Sequence, residues 1–298
     1  MKSPLTMSIL RLLRPKQWSK NLLVFAAYLF AGHLGWQEDT GQILLAFAAM
    51  CLVSSATYVA NDILDRERDR QHPKKKERPI ASGAISVPVA IAILVLLGAG
   101  GIGIGWYLGL WPLAILGGYV LTQILYNLKL KHVAVADVFT IATGFVLRAA
   151  LGAQAIDVPI SGWLLFCTAS LALMLGFAKR RNEFIAQGDD RSNSREALAD
   201  YSRQILDVFV SLFAGVSIMS YSIYSFQSET AQQYPGLLLT TPFVLYGVCR
   251  YLLIVLTKNE GGEPAEILLR DPHVIISVVG FVAAAIFAIQ GGSVPIVN

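Results

Sequence analysis

Long apolar runs recur from one end of this chain to the other, separated by short polar stretches. Runs of roughly 20 apolar residues are the length that crosses a bilayer as a helix, and they predict about nine spans. These lie near 21–36, 42–61, 85–107, 111–128, 133–152, 162–178, 205–226, 237–256 and 273–291. The basic residues test this division. Lys and Arg fall in the amino-terminal segment and in loops near 62–84, 129–132, 179–204 and 257–272. The alternate connections, near 37–41, 108–110, 153–161 and 227–236, hold no Lys or Arg, but they do hold Glu38, Asp39, Asp157 and Glu229. Such alternation follows the positive-inside rule and places the amino terminus and the charged loops on the cytoplasmic side. With nine spans the carboxyl terminus lies outside. The expectation is an all-α, multi-pass protein of the cell inner (plasma) membrane, a single domain over 1–298 with its polar chemistry on the cytoplasmic side.

Composition agrees. The chain has 298 residues, 55% hydrophobic and 15% charged, where a soluble domain carries about 25% charge. Its three cysteines, Cys51, Cys167 and Cys249, each sit inside an apolar run, with no CxxC or Cys/His cluster, so neither a zinc site nor a disulfide framework is expected. Nothing in the sequence calls for a nucleic-acid partner. The opening "MKSPLTMSILRLLRPKQWSKN" has a short apolar stretch broken by Arg11 and Arg14 and no small-residue cleavage site, unlike a signal peptide. Residues 1–20 read instead as an amphipathic interfacial segment with Trp18 at headgroup level. The glycine run Gly98 to Gly105 lies inside a span with no strand before it, which excludes a dinucleotide loop. Gly101 and Gly105 instead have the spacing for close helix packing. The polar segment 186–204 reads as a solvated loop.

One stretch concentrates charge: "NDILDRERDRQHPKKKERPIASG", Asn61 to Gly83. Asp62, Asp65 and Asp69 are spaced by three and four, which puts them on one face at a helix end. Carboxylates so gathered repel one another unless a cation sits among them. Mg²⁺ takes oxygen ligands and commonly binds through one or two carboxylates plus substrate phosphates. The bland alternative is a solvated helix end with Arg66, Arg68 and Arg70 as salt-bridge partners. The basic half, Lys74, Lys75, Lys76 and Arg78, serves as a topology signal, as a phosphate site, or as both.

"NDILDRERD" resembles the NDxxDxxxD motif of the UbiA superfamily of intramembrane prenyltransferases. The resemblance implies nine helices around a central cavity open to the cytoplasmic side, with Mg²⁺ holding a diphosphate. The family's second aspartate-rich motif should follow the sixth span, but this chain has "AKRRNE", Ala178 to Glu183, where Lys179, Arg180 and Arg181 replace acids and only Glu183 is acidic. The blocks "RPKQWSKN", "LKHVAV", "LRAALG", "AKRRNE" and "GGEPAEILLRD" together are similar to the decaprenyl-phosphate phosphoribosyltransferase branch. That branch implies Mg²⁺-dependent transfer of 5-phosphoribosyl from phosphoribosyl diphosphate to a polyprenyl phosphate, for cell-envelope (arabinan-type) glycan precursors. It assigns Mg²⁺ to Asp62, Asp65 and Asp69, beside Asn61.

Cations beyond a single metal cluster suit a substrate pair carrying a diphosphate, a 5-phosphate and a lipid phosphate. Lys75, Lys76 and Arg78 are candidate phosphate ligands. So are Lys20 and Asn21 at the first span and Lys131 at the end of the fourth, while Tyr126 beside Lys131 and Lys179, Arg180 and Glu183 at the second-motif position are candidate substrate contacts. Lys20 serves equally well as an interfacial anchor, and Lys131 as a topology marker. Arg148 and Arg250 lie within spans, where a cation is costly and functional by default, and one is expected to receive the lipid phosphate. Asp137 lies about three turns from Arg148 along the same helix and is no neighbour of it. His33, His72, His132 and His273 are scattered and read as solvated or structural. Two other readings stay open: a conventional prenyltransferase moving an isoprenyl chain to an aromatic or lipid acceptor, and a non-catalytic lipid-binding or transport protein. A homo-oligomer is left open as well.

Overall fold

The computed structural model describes residues 5–30, 38–73, 75–159, 161–187, 196–258, 267 and 270–291. Among these, every regular element is a helix. In chain order they are α1 (Leu5–Leu13), a 3₁₀ segment (Pro15–Phe25), α2 (Ala26–Phe30), α3 (Glu38–Leu64), α4 (Arg66–Gln71), α5 (Val87–Leu108), α6 (Leu110–Leu128), α7 (Ala136–Ala155), α8 (Gly162–Gln187), α9 (Arg203–Gln227), α10 (Glu229–Gln233), α11 (Thr241–Lys258) and α12 (Pro272–Ile289). Seven are long and apolar enough to cross a membrane: α3, α5, α7, α8, α9, α11 with the 3₁₀ turn that leads into it, and α12. The expected fourth span is α6, a helix of 19 residues that is not among those seven. Its Thr122, Gln123 and Asn127 dilute the apolar run. The expected first span opens as the 3₁₀ segment and α2, and its remainder lies outside the described residues.

The helix surfaces carry the membrane signature. On α5, Leu96 is 73% exposed and Trp106 is 75% exposed, and Ile276 and Val279 on α12 are also bare. Contiguous apolar surface of this kind is unfavourable in water and suits hydrocarbon.

The chain forms two compact units. Unit 1 takes the described residues up to Leu29, those from Glu38 to Asn127, and Leu147–Pro159. Unit 2 takes Phe30, Leu128–Val146 and the described residues beyond Ile160, so α7 starts in unit 2 and ends in unit 1. In unit 1, Val24, Ile43, Met50, Leu116, Tyr119 and Leu151 form one core. Leu12 seats α1 against Val59, Ile80, Ile85 and Ala90, while Leu5, Met7 and Leu10 of α1 stay exposed. The glycine run packs as its spacing predicts. A Cβ on Gly101 would lie 2.5 Å from Val53 Cγ2 and 3.0 Å from the carbonyl oxygen of Ala49, so α5 meets α3 nearly backbone to backbone. In unit 2, Val138, Met174, Phe177, Leu206 and Val210 centre the core, with the Phe177 ring stacked on Phe213 at 5.5 Å. Helix starts follow local chemistry. Ser202 caps α9 through Ile205 N–H, and Asp271 caps α12 through His273 N–H and Val274 N–H, with Pro272 in the first turn.

Candidate active site

The NDxxD stretch is not one continuous helix. α3 runs through Asn61 and Asp62 to Leu64, Asp65 sits at φ −87° and ψ 6°, and α4 resumes at Arg66. The break is small, because Asp65 N–H still donates to Asn61 O at 2.9 Å and Asp69 N–H to Asp65 O at 2.8 Å. The helical register therefore survives well enough for Asp62 and Asp69 to reach a common partner. Arg78 Nη1 donates to Asp62 Oδ1 at 3.0 Å and to Asp69 Oδ2 at 2.7 Å. Arg14 Nη2 adds a second donor to Asp62 Oδ1 at 2.6 Å, its guanidinium lying 5.0 Å over the Tyr58 ring. Both carboxylates are almost wholly buried, at 2% and 3%. Asp65, the middle member, is half-buried at the start of α4.

The remaining charges of the stretch divide cleanly. Glu67 is exposed and pairs with Arg70 at 3.1 Å and Arg66 at 3.7 Å, which is the solvated helix end that spacing alone allowed. Arg70 Nε ties this face to Ala81 O at 3.1 Å. Lys75 is half-buried and Lys76 exposed, and Lys74 lies outside the described residues. His72 is exposed and accepts from Lys75 N–H at 3.3 Å.

Two buried carboxylates turned on one cation make a set of hard oxygen donors suited to Mg²⁺. Among the described residues, no group of three or more acids, histidines or cysteines is assembled for a metal. Asp62 and Asp69 offer two carboxylates, the number that Mg²⁺ commonly takes when substrate oxygens complete its shell.

Arg14 was not visible as a site residue in the sequence. It occupies the left-handed region at φ 54°, ψ 56° and turns the chain from α1 into the 3₁₀ segment. That corner brings its guanidinium to Asp62. A branch-free but bulky residue there signals a constrained turn. Asn21, expected at the first span as a phosphate contact, is wholly buried, and its carboxamide Nδ2 donates to Cys51 Sγ at 3.3 Å and Ser54 Oγ at 3.2 Å. Lys20 beside it is half-buried. Trp18, expected at headgroup level, is half-buried and donates to Ser55 Oγ at 3.1 Å. Arg148 Nε donates to Asn21 Oδ1 at 2.8 Å and Arg148 Nη2 to Tyr119 Oη at 3.0 Å. Tyr126 is half-buried near the end of α6.

Unit 2 carries the second cluster. "AKRRNE", read from sequence as the start of a loop, is helical, because α8 continues to Gln187. The reason is that its arginines are buried in ion pairs. Arg180 Nε reaches Asp137 Oδ2 at 2.5 Å and its Nη1 reaches Glu183 Oε2 at 2.5 Å. Arg181 Nε pairs with Asp207 on α9, and its Nη1 donates to Val255 O at 2.7 Å on the last turn of α11. Arg181 thereby satisfies carbonyls that a helix end leaves open. Lys179 is half-buried. Arg250 on α11, which the hydropathy also places within a span, pairs with Asp271 at 2.8 Å. That arginine holds the Asp271 carboxyl down at about 2, chiefly by its hydrogen bond.

The turn before α7 is strained. Val135 sits at φ 67°, and Ala136 N–H closes onto Ala134 O at 2.8 Å. A β-branched residue in this region costs on the order of 1–3 kcal/mol and persists only where its surroundings hold it. Here the Val135 N–H donates to the Tyr201 hydroxyl at 2.5 Å. Burial pushes that hydroxyl up to about 12, the Val135 bond opposing the shift. Lys131 stands on the 3₁₀ turn Leu130–His132 just before, half-buried. Of "GGEPAEILLRD", only Ile267, Arg270 and Asp271 fall within the described residues.

The profile of the UbiA prenyltransferase family matches residues 22–265. The decaprenyl-phosphate phosphoribosyltransferase of Mycolicibacterium smegmatis is 31% identical, covering 95% of this chain and 93% of its own. Its namesake from Corynebacterium glutamicum is 32% identical over 94% of this chain and 86% of its own. Among solved structures, a UbiA homologue from Archaeoglobus fulgidus bound to GPP and Mg²⁺ superposes with a TM-score of 0.71 over 95% of this chain and 99% of its own, at 18% identity. Another, from Aeropyrum pernix K1, gives 0.58 over 92% and 95% at 14% identity. These likenesses carry the fold, while the profile and the curated relatives carry the family. The chain is a multi-pass membrane protein and belongs to the UbiA prenyltransferase family.

Proposed function

We propose that this chain transfers the 5-phosphoribosyl group of phosphoribosyl diphosphate to a polyprenyl phosphate and releases diphosphate. The observation that carries the reading is the exchange of charge at the second-motif position, where buried Arg180 and Arg181 stand in place of acids, in a chain alignable almost end to end with relatives named for this reaction. Among the described residues, Asp62 and Asp69 are the buried acidic pair that then remains for a metal.

In this reading Asp62 and Asp69 would hold Mg²⁺, with Asp65 beside them at the start of α4, and the ion when bound would neutralise charge developing on the departing diphosphate. Arg78 and Arg14 hold the two carboxylates in one orientation and carry donors to share with diphosphate oxygens, Arg as a bidentate fork. Lys75, Lys76 and Lys20 supply point charges. Asn61, on the last turn of α3, and Tyr126 remain polar contacts for substrate. In unit 2, Lys131 is assigned to the 5-phosphate, Lys179 with Arg180 to substrate anions, and Glu183 to a substrate contact as a hydrogen-bond acceptor. The C1–O bond to diphosphate breaks and a bond from a lipid phosphate oxygen to C1 forms, with inversion. That oxygen is already anionic, so no side chain has to remove a proton, and the work is positioning plus electrostatics. The distribution of Lys and Arg supports a cytoplasmic amino-terminal segment and a reaction on the cytoplasmic side of the plasma membrane. The product would feed cell-envelope glycan synthesis.

The test is to incubate purified protein with labelled phosphoribosyl diphosphate, polyprenyl phosphate and Mg²⁺, and to follow label into the lipid phase. Lipid-linked phosphoribose that vanishes with a chelator is expected. Transfer from a prenyl diphosphate without any lipid-linked phosphoribose would overturn the reading.

A further inference from the structure

The segment joining α1 to α2 is an unusual piece of backbone. It is a 3₁₀ helix of 11 residues, Pro15–Phe25, where runs beyond three or four residues are uncommon because the hydrogen-bond geometry is poorer. Something outside the segment must hold it. The last part of α7, within unit 1, does so at two points one turn apart on the same face. At Gly152, any Cβ would overlap the carbonyl oxygen of Val24. At Arg148, Nε donates to Asn21 Oδ1 at 2.8 Å. That bond fixes which way the Asn21 carboxamide points, so that Nδ2 faces Cys51 Sγ at 3.3 Å and Ser54 Oγ at 3.2 Å on α3.

Arg148 is itself committed to this arrangement. It is 5% exposed. Nη2 donates to Tyr119 Oη at 3.0 Å, and the guanidinium carbon lies 4.9 Å from the Tyr119 ring centroid. A group so enclosed is poorly placed to receive a lipid phosphate, the role its intramembrane position first suggests. The segment it braces leads straight to the site: seven residues before Asn21 stands Arg14, bound to Asp62 at 2.6 Å, and Lys20 is its immediate neighbour.

We infer that Arg148 is a positioning residue that acts through Asn21. It locks the 3₁₀ segment onto α3 and so sets where Arg14 and Lys20 stand for catalysis. The kinetic part of this inference rests on the transferase reading, while the mechanical part does not.

The test uses the full-length protein with Cys167→Ser and Cys249→Ser, leaving Cys51 as the sole thiol. Cys51 is 6% exposed, so maleimide labelling is slow while the brace holds. Arg148→Met is expected to speed labelling at least about tenfold, as fits the loss of a buried anchoring group. It is also expected to lower kcat by roughly 10–100-fold, in the range seen for outer-shell partners, with KM for polyprenyl phosphate within about twofold. Asn21→Ala should do the same, and the double variant should be no worse than the worse single one, since both break one linkage. Arg148→Lys keeps the charge but not the fork and should behave like Arg148→Met, which covers the case in which the methionine variant does not fold.

Unchanged Cys51 labelling with KM for polyprenyl phosphate raised tenfold would overturn the inference in favour of direct phosphate contact. So would a lysine variant with wild-type kcat and labelling. If the parent protein transfers no phosphoribose at all, the transferase reading falls separately, and the labelling ratio still decides the brace.

Discussion

In unit 1 the acids belong to the motif NDILDRERD, Asp62 and Asp69, and the cations that answer them come from outside it, Arg14 and Arg78. In unit 2 the parts are exchanged. The cations belong to the run, Arg180 and Arg181, and the acids come from other helices, Asp137 and Asp207. Each run also contributes a more exposed member, Glu67 in one and Glu183 in the other. A local motif therefore holds only half of a buried cluster, and the fold supplies the other half. The two clusters also differ in what their partners leave for substrate. Asp62 and Asp69 are gathered on one shared guanidinium, where the proposed reading seats a divalent ion with its diphosphate. Arg181 is spent on Asp207 and the carbonyls of α11.

The largest effect should come from the acid cluster. Asp62→Asn removes one charge of the pair and keeps its shape. We expect kcat to fall by about 10²–10³-fold, the scale for loss of one preorganised electrostatic contact. Asn at Asp69 should come close to it, and Glu67→Gln should leave kcat within twofold. Steady-state assay of the three variants checks this. Equal losses at positions 62 and 67 would erase the division of the run into buried and exposed charges.

The second cluster is sharpened by separating stability from activity. Arg180 and Asp137 are 1% and 0% exposed. Removing one partner of such a pair strands a buried charge and costs about 3–5 kcal/mol, whereas replacing both by apolar residues is often neutral. Arg180→Met should therefore lower thermal stability strongly, and Arg180→Met with Asp137→Leu should restore most of it. If Arg180 also contacts substrate, activity stays lost in the double variant. Recovery of both would make the pair purely architectural and would leave Lys179 and Glu183 as the unit's substrate contacts at this motif.

A smaller effect tests the packing beneath the acid cluster. Gly101→Ala pushes a methyl against Val53 and the Ala49 backbone on α3. Overpacking of this kind typically costs about 1–3 kcal/mol. The same change at Gly98, where nothing lies within 4 Å, should be nearly silent. Thermal melts of the two variants in one detergent compare them directly.

How much of this was legible in the sequence follows from which interactions are local. Hydropathy and the Lys/Arg alternation give the helical membrane class, since each depends on runs of neighbours. The seven spans long and apolar enough to cross fall where the runs predict. The motif gives Asp62 and Asp69, because helical spacing keeps them on one side despite the pause at Asp65. Arg14 was hidden because its approach depends on a left-handed corner that no composition signal marks. Asp137 was noted only as too distant from Arg148, and its true partner lies 43 positions away. The helical state of "AKRRNE" was missed because charge reads as loop until its burial in pairs is known.

The smallest prediction concerns pH and Arg250, whose carboxylate partner Asp271 caps the start of α12. Asp271 titrates near 2 in the folded chain, held down first by its hydrogen bond from Arg250, against about 3.9 when unfolded. The folded state therefore prefers the charged form. Above about pH 4 the full contribution is present. As pH falls from about 4 toward 2, the unfolded chain takes up a proton that the folded chain resists, and stability declines. Below about 2 both states are protonated and the contribution is gone. Asp271→Asn should flatten this acid limb, lower the plateau at neutral pH slightly, and leave the capping of α12 largely intact, since Asn also serves as a helix N-cap. Melting temperature against pH from 2 to 7 for the parent and the variant measures it. Because the same carboxylate also accepts from His273 and Val274 N–H, an acid limb that Asp271→Asn leaves unchanged would mean that Arg250 is held by something other than this charge, and its expected role toward lipid phosphate would regain ground over the structural pairing.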